Sequence, residues 1–197
     1  MKIVILDTDC SNLLSVKLSI ERLGYFPEIT CNSSRILSAD RVIFPGIGTA
    51  LSIMNKLNKF NLIKTIKKFK KPMLGICLGM QVLSSFSMES NGIKMLGIID
   101  SNVSLLESNG LVLPHIGWNN VFIKDNHPLF KNINNKSRFY FVHSYSFPIG
   151  QFTIASSFYG QEFSAVIQKD NFFGVQFHPE KSSFVGSQLL KNFLEIL

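Results

Sequence analysis

The chain has 197 residues, enough to bury a substantial core, and its 46% hydrophobic content suits one globular domain over residues 1–197 rather than two. A formal charge of +7 raises nucleic acid or an anionic surface as partners, but no nucleic-acid motif and no interleaving of basic and aromatic residues accompanies it. No apolar stretch reaches membrane-spanning length, and "MKIVILD" runs into an acidic residue without a cleavage pattern, so the expected location is the cytoplasm.

In chain order, "KIVILD" (residues 2 to 7) is a β-branched apolar run of the kind that forms a strand covered on both faces. Ser11 or Asn12 is placed to cap a helix carrying Leu13, Val16, Ile20 and Leu23, which Gly24 stops. "FPEIT" returns to extended character, and this βαβ opening favours a parallel sheet with helices packed on it. "RVIF" (41 to 44) predicts another buried strand, ending in the turn "PGIG", after which residues 49 to 58 and 60 to 70 read as helices. The second of these sets Lys64, Lys67, Lys68 and Lys71 on a solvated face opposite Ile63, Ile66 and Phe69. "PMLGI" (72 to 76) predicts a third strand, followed by helical "LGMQVLSSF". The second half is mostly strands: "VSLL", "LVLPHIGWNNVFI", "RFYFVHSYSF", "TIASSFY", "EFSAVIQ" and "FFGVQF", with "KDN" as a hairpin turn before the last. A closing helix carries Leu189, Leu190, Phe193, Leu194 and Leu197 on one stripe.

Three constellations carry chemistry. Cys77 lies in "GICLGMQ", a G-x-C-x-G pattern between a buried strand and a helix, the context of a nucleophile elbow. A helix start there favours the thiolate, the attacking species. For this pattern alone, a buried cysteine in a glycine-rich turn is an equal reading. Cys10 and Cys31 carry no assigned chemistry, and the three cysteines lack the paired spacing of zinc sites or disulfide frameworks. His178 and Glu180 flank Pro179 behind the strand-like run 171 to 177, where extended geometry sets them side by side as a proton shuttle and its orienting acid. On their own they better describe a surface pair at a strand end. Pro45 to Gly48 ("PGIG") can turn backbone N–H groups toward a neighbouring site, as an oxyanion hole requires, or be an ordinary turn. Together the three describe acyl transfer through a thioester.

"GICLGMQ", "QFHPE" and "PGIG", in this order and separation, resemble the class I (triad-type) glutamine amidotransferases. "LDTDCSNLLSV", "FPGIGTA", "LPHIGWN", "FYFVHSY" and "KDNFFGVQFHPEKS" extend the resemblance over nearly the whole chain to the glutaminase subunits of imidazole glycerol phosphate synthase. It implies a flavodoxin-like α/β domain, a central, mostly parallel mixed sheet flanked by helices, and hydrolysis of L-glutamine without a cofactor. By the resemblance, Cys77 attacks the side-chain amide, His178 relays protons and Glu180 orients His178. Ile47, Gly48 and Leu78 form the oxyanion hole, and Gly48, Leu78, Gln81, Glu89, Ser144 and Tyr145 bind glutamine, Glu89 pairing with its ammonium.

The family passes ammonia to a separate (βα)8-barrel synthase subunit in a heterodimer. That subunit converts the formimino ribonucleotide PRFAR into imidazole glycerol phosphate and AICAR, and Asn12 and Trp118 match positions near the interface. The turn "TDCSN", with Asp9, departs from the glycine common there in related sequences. Service to another synthase, such as one making anthranilate or guanylate, is the alternative within the same chemistry. A non-catalytic regulatory subunit, or a cysteine hydrolase of other amides or esters, are the alternatives outside it.

Overall fold

A computed structural model of the chain describes residues 1–7 and 12–197. Its first half runs β1 (Ile3–Leu6), α1 (Leu13–Glu21), β2 (Glu28–Thr30), α2 (Ser33–Ser38), β3 (Arg41–Gly46), α3 (Ala50–Lys59), α4 (Leu62–Lys68), β4 (Met73–Cys77) and α5 (Leu78–Gln81). The second half adds β5 (Phe86–Ser87), β6 (Ile93–Lys94), β7 (Asn102–Leu105), β8 (His115–Asn120), β9 (Phe122–Ile123), β10 (Arg138–His143) and β11 (Tyr145–Ser146). It ends with β12 (Thr153–Tyr159), β13 (Gln161–Lys169), β14 (Phe172–Val175) and α6 (Ser183–Glu195).

The main sheet has the order β2-β1-β3-β4-β14-β13-β12-β9. Its first five strands are parallel and the rest antiparallel, the mixed α/β arrangement expected from the sequence. The near-continuous apolar strands follow from burial on both faces. Ile3 and Ile5 of β1, with Ile43, Leu74 and Val175, face one core with Val16, Ile20, Leu189 and Phe193 of the covering helices. Val4 and Leu6, with Val42, Phe44 and Met73, face the other, where Ile53, Leu57 and Ile66 pack. Because β14 returns beside β4 with Val175 opposite Ile76, segments a hundred residues apart in sequence leave the sheet together at its carboxyl edge.

Several elements differ from expectation for identifiable reasons. The helix predicted over "LGMQVLSSF" stops at Gln81, because the Ser85 N–H bonds to the Ser101 carbonyl and the Ser85 carbonyl to the Met95 N–H, drawing the chain into the small β11-β7-β5-β6 sheet. Pro45 and Gly46 extend β3, opposite Ile76 and Cys77, so the turn begins only at Ile47. "RFYFVHSYSF" divides at Ser144, whose carbonyl accepts from Leu106 N–H rather than from β8. α2 was not expected. The Asn32 side chain caps it by accepting from the Ser34 and Arg35 N–H groups at 3.0 and 3.2 Å. Asn12 occupies the cap position of α1 without a side-chain cap bond, and Ser11, Asp9 and Cys10 lie outside the described residues.

Candidate active site

β4 delivers Cys77 to the carboxyl edge of the sheet with φ 55° and ψ −111°, a conformation that L residues rarely adopt. The turn is held by close backbone packing. A Cβ on Gly79 would stand 1.8 Å from the Phe44 carbonyl oxygen, and one on Gly75 would stand 2.5 Å from the Gly79 oxygen. Glycine at both positions lets α5 press directly on β3 and β4, and Cys77 is left 7% exposed at a cleft of about 440 Å³. As α5 is a single turn, few peptide dipoles align behind the sulfur, and the positive charge facing it comes from His178 instead.

His178 follows β14, its N–H bonded to the Tyr140 carbonyl at 2.9 Å and its carbonyl accepting from Ser182 Oγ at 2.7 Å. Residues 179–181 form a 3₁₀ turn rather than the extended segment expected, because Pro179 opens the turn, yet the turn still folds Glu180 back onto the ring. His178 Nδ1 and Glu180 Oε1 are 2.8 Å apart, with both side chains buried. Burial pulls the imidazolium down, but Cys77, through a hydrogen bond and its negative charge, and then Glu180 outweigh it and push His178 up to about 10. Nδ1 is committed to Glu180, which leaves Nε2 for the sulfur. Asn12, expected near a partner interface, is 6% exposed behind this pair and donates from Nδ2 to Glu180 Oε1 at 3.2 Å. Glu180 Oε2 has no hydrogen-bond partner among the described residues.

The cleft is lined by Cys77, His178, Ile47, Gly48, Leu78, Gln81, Glu89, Ser144 and Tyr145, so the residues assigned to chemistry, oxyanion and glutamine converge on it. Glu180 stands behind His178. Glu89 also accepts from the Ala50 N–H at the start of α3, tying the cleft wall to the helix after the Ile47–Gly48 loop. Trp118 lies elsewhere, 44% exposed on β8 against Tyr140.

Sequence reasoning passed over Gln176, whose Nε2 lies 3.7 Å from Cys77 Sγ; His115 in "LPHIGWN" and His143 in "FYFVHSY" read from the sequence as satisfied structural histidines. Strand alternation carried past β14 puts Gln176 and His178 on one side, and that signal was available. The two histidines are buried in contact, His115 Nδ1 being 3.1 Å from His143 Nε2. Burial pulls His115 down to about 4. Burial also outweighs the hydrogen bond to the Tyr145 carbonyl at His143 and, with the neighbouring imidazoles, takes it to about 3.

A second, larger groove of about 940 Å³ lies along residues 123–135. His127, the imidazole in its lining, is occupied at both nitrogens by Gln168 and the Leu129 N–H. Among the described residues no cluster of three metal-ligating side chains occurs, and no helix is long and apolar enough to cross a membrane.

The glutamine amidotransferase class-I family model matches residues 4–197. The HisH subunit of imidazole glycerol phosphate synthase from Buchnera aphidicola subsp. Acyrthosiphon pisum is 56% identical over 196 residues, and the Escherichia coli K12 HisH is 50% identical over 196, each alignment covering 100% of both chains. A crystal structure of a glutamine amidotransferase shares the fold at 14% identity and TM-score 0.76, over 99% of this chain and 98% of that one. So does the glutaminase domain of Trypanosoma brucei CTPS, at 15% identity and TM-score 0.69, over 99% and 94%. With a family model spanning almost its full length and half or more of its residues shared with HisH subunits, the chain belongs to the class-I glutamine amidotransferases and, among them, to the HisH family.

Proposed function

We propose that the whole chain acts as one glutaminase domain that supplies ammonia from L-glutamine to the (βα)8-barrel cyclase subunit of imidazole glycerol phosphate synthase, as a cytoplasmic heterodimer in histidine biosynthesis. The observation that carries the reading is His178 held between Glu180, at 2.8 Å, and the Cys77 sulfur on a positive-φ turn.

His178, held high by Cys77 and Glu180, is placed to take the thiol proton of Cys77, giving the thiolate and an imidazolium. The thiolate attacks the amide carbon of glutamine, a C–S bond forms, and charge develops on the amide oxygen. Backbone N–H groups of Leu78 and of the Ile47–Gly48 loop stabilise that charge. Gly48 stands at φ +100° with open space where a Cβ would be, so the loop can turn its N–H groups inward. The imidazolium gives its proton to the nitrogen, the C–N bond breaks and ammonia leaves. Neutral His178 then takes a proton from water, hydroxide attacks the thioester, and glutamate departs as the thiolate and imidazolium are restored. Glu180 keeps the ring oriented throughout. Glu89 serves the substrate ammonium, and Gln81, Ser144 and Tyr145 form the rest of the glutamine cradle. Ammonia in bulk water is quickly protonated, so transfer is direct to the cyclase, which makes imidazole glycerol phosphate and AICAR from PRFAR; Trp118 lies at that docking face.

The test is turnover of the two-subunit complex with either glutamine or ammonium as nitrogen source. Cys77→Ala is expected to lower the glutamine-supported rate by at least about a thousandfold and to leave the ammonium-supported rate unchanged. Retained glutamine-supported turnover in Cys77→Ala refutes the assignment.

A further inference from the structure

Along the floor of the cleft and behind it runs a chain of buried polar side chains, of which only Gln81 has a part in the reaction, in the glutamine cradle. Gln176, Gln81, His143 and His115 are each at most 5% exposed. Buried polar groups of this kind are costly unless each is satisfied, so the direction of every hydrogen bond matters.

One atom sets all the directions. The Tyr145 carbonyl oxygen can only accept, and it takes bonds from His143 Nδ1 at 2.9 Å and Gln81 Nε2 at 2.8 Å. On the first side, a proton on Nδ1 makes His143 Nε2 the acceptor for His115 Nδ1 at 3.1 Å, and His115 Nε2 then accepts from Asn119 Nδ2 at 3.3 Å. On the second side, Gln81 has one amide N–H left, which it donates to Gln176 Oε1 at 3.0 Å. With its oxygen taken, Gln176 directs Nε2 at Cys77 Sγ, 3.7 Å away, within N–H reach of a large sulfur atom. Turning the Gln176 amide over would set two N–H groups against each other at Gln81 and an oxygen against the sulfur.

We propose that Gln176 is a further catalytic residue, its amide N–H stabilising the Cys77 thiolate in an orientation dictated by the Tyr145 carbonyl through Gln81. The inference rests on the reading of Cys77 as the nucleophile. Thiol and thiolate use different partners. The protonated thiol donates to the Val142 carbonyl at 3.7 Å, whereas the thiolate accepts from Gln176. Losing the Gln176 N–H therefore weakens one protonation state and not the other. The other titratable groups around the sulfur are His178, backed by Glu180, His143 on β10, Tyr145 on β11, and Glu89 and Lys181 on the cleft wall.

Gln176→Met keeps the length of the side chain and removes the donor. The experiment follows iodoacetamide alkylation of Cys77 against pH in the full chain bound to its cyclase subunit, read by mass spectrometry of the Cys77 peptide. A bond to a charged group is worth about 10- to 100-fold. The alkylation midpoint should therefore move up by about one to two pH units, and kcat for glutamine hydrolysis should fall by about 10- to 100-fold with KM unchanged. If Gln176→Met does not melt like wild type, Gln81→Met is used, which frees the Gln176 oxygen and should shift the midpoint the same way by less. A folded variant with the wild-type midpoint, in a complex where Cys77→Ala abolishes glutamine use, overturns the role of Gln176 alone. Glutamine use that survives Cys77→Ala overturns the nucleophile and this inference together.

Discussion

The buried His115–His143 pair makes the fold sensitive to mild acid, by an amount that can be worked out. An unfolded imidazole titrates near 6.5, while burial holds His143 at about 3 and His115 at about 4. As pH falls below 6.5 the unfolded chain takes up protons first, so the stability that neutral rings provide at pH 7 is lost on the way down. At about 1.36 kcal/mol per unit below 6.5, each ring removes ~2 kcal/mol between about pH 7 and pH 5, and the pair ~4 kcal/mol. His178 acts in the opposite sense. Raised to about 10, it stabilises fully below 6.5 and loses that contribution as pH rises through 10; toward pH 5 it returns only ~1 kcal/mol. A net loss of ~3 kcal/mol is a large share of the roughly 5–15 kcal/mol typical of a domain. His143→Asn keeps a donor for the Tyr145 carbonyl but cannot titrate. It should be less stable than wild type at neutral pH, yet its stability should fall ~2 kcal/mol less between the two pH values. Urea unfolding at about pH 7 and about pH 5 measures both, and an equal fall in wild type and variant would refute the reasoning.

Two substitutions probe the triad and its support. Glu180→Gln removes an interaction that raises His178, so the imidazolium should be lost at lower pH and the alkaline limb of the kcat/KM profile should move down. The accompanying rate loss is on the order of 10²- to 10⁴-fold; an unmoved limb would count against Glu180 as the orienting acid. Gly79→Ala places a methyl 1.8 Å from the Phe44 oxygen, forcing α5 away from β3. It should lower the urea midpoint by at least about 1–3 kcal/mol in equivalent stability and disable glutamine hydrolysis, and wild-type values for both would show that the turn tolerates displacement.

The strands were legible wherever both faces are apolar, since "KIVILD", "RVIF" and "PMLGI" admit few other uses. α2 was not, because six residues with Ile36 as the one buried anchor give no period to read. The overlong helix after Cys77 was a competition lost to tertiary bonding at Ser85, which no local pattern announces. Cys77, His178 and Glu180 were each visible as motifs, but their meeting depends on β14 pairing with β4 in the register Val175 to Ile76, a long-range fact. Gln176 was missed because a polar residue in an apolar run looks like an interruption until its partners are known. Asn12 was sought near a partner interface, and its turn toward Glu180 depends on how α1 seats against the 179–181 turn.

The backbone at Cys77 also sets this molecule against itself. A non-glycine residue held at φ 55° and ψ −111° costs on the order of 1–3 kcal/mol, and glycine would relieve it at the expense of the sulfur. Selection for a sturdier protein and selection for a working one thus pull in opposite directions at a single position, and thermostabilising libraries judged by folding alone would drift toward inactive chains there.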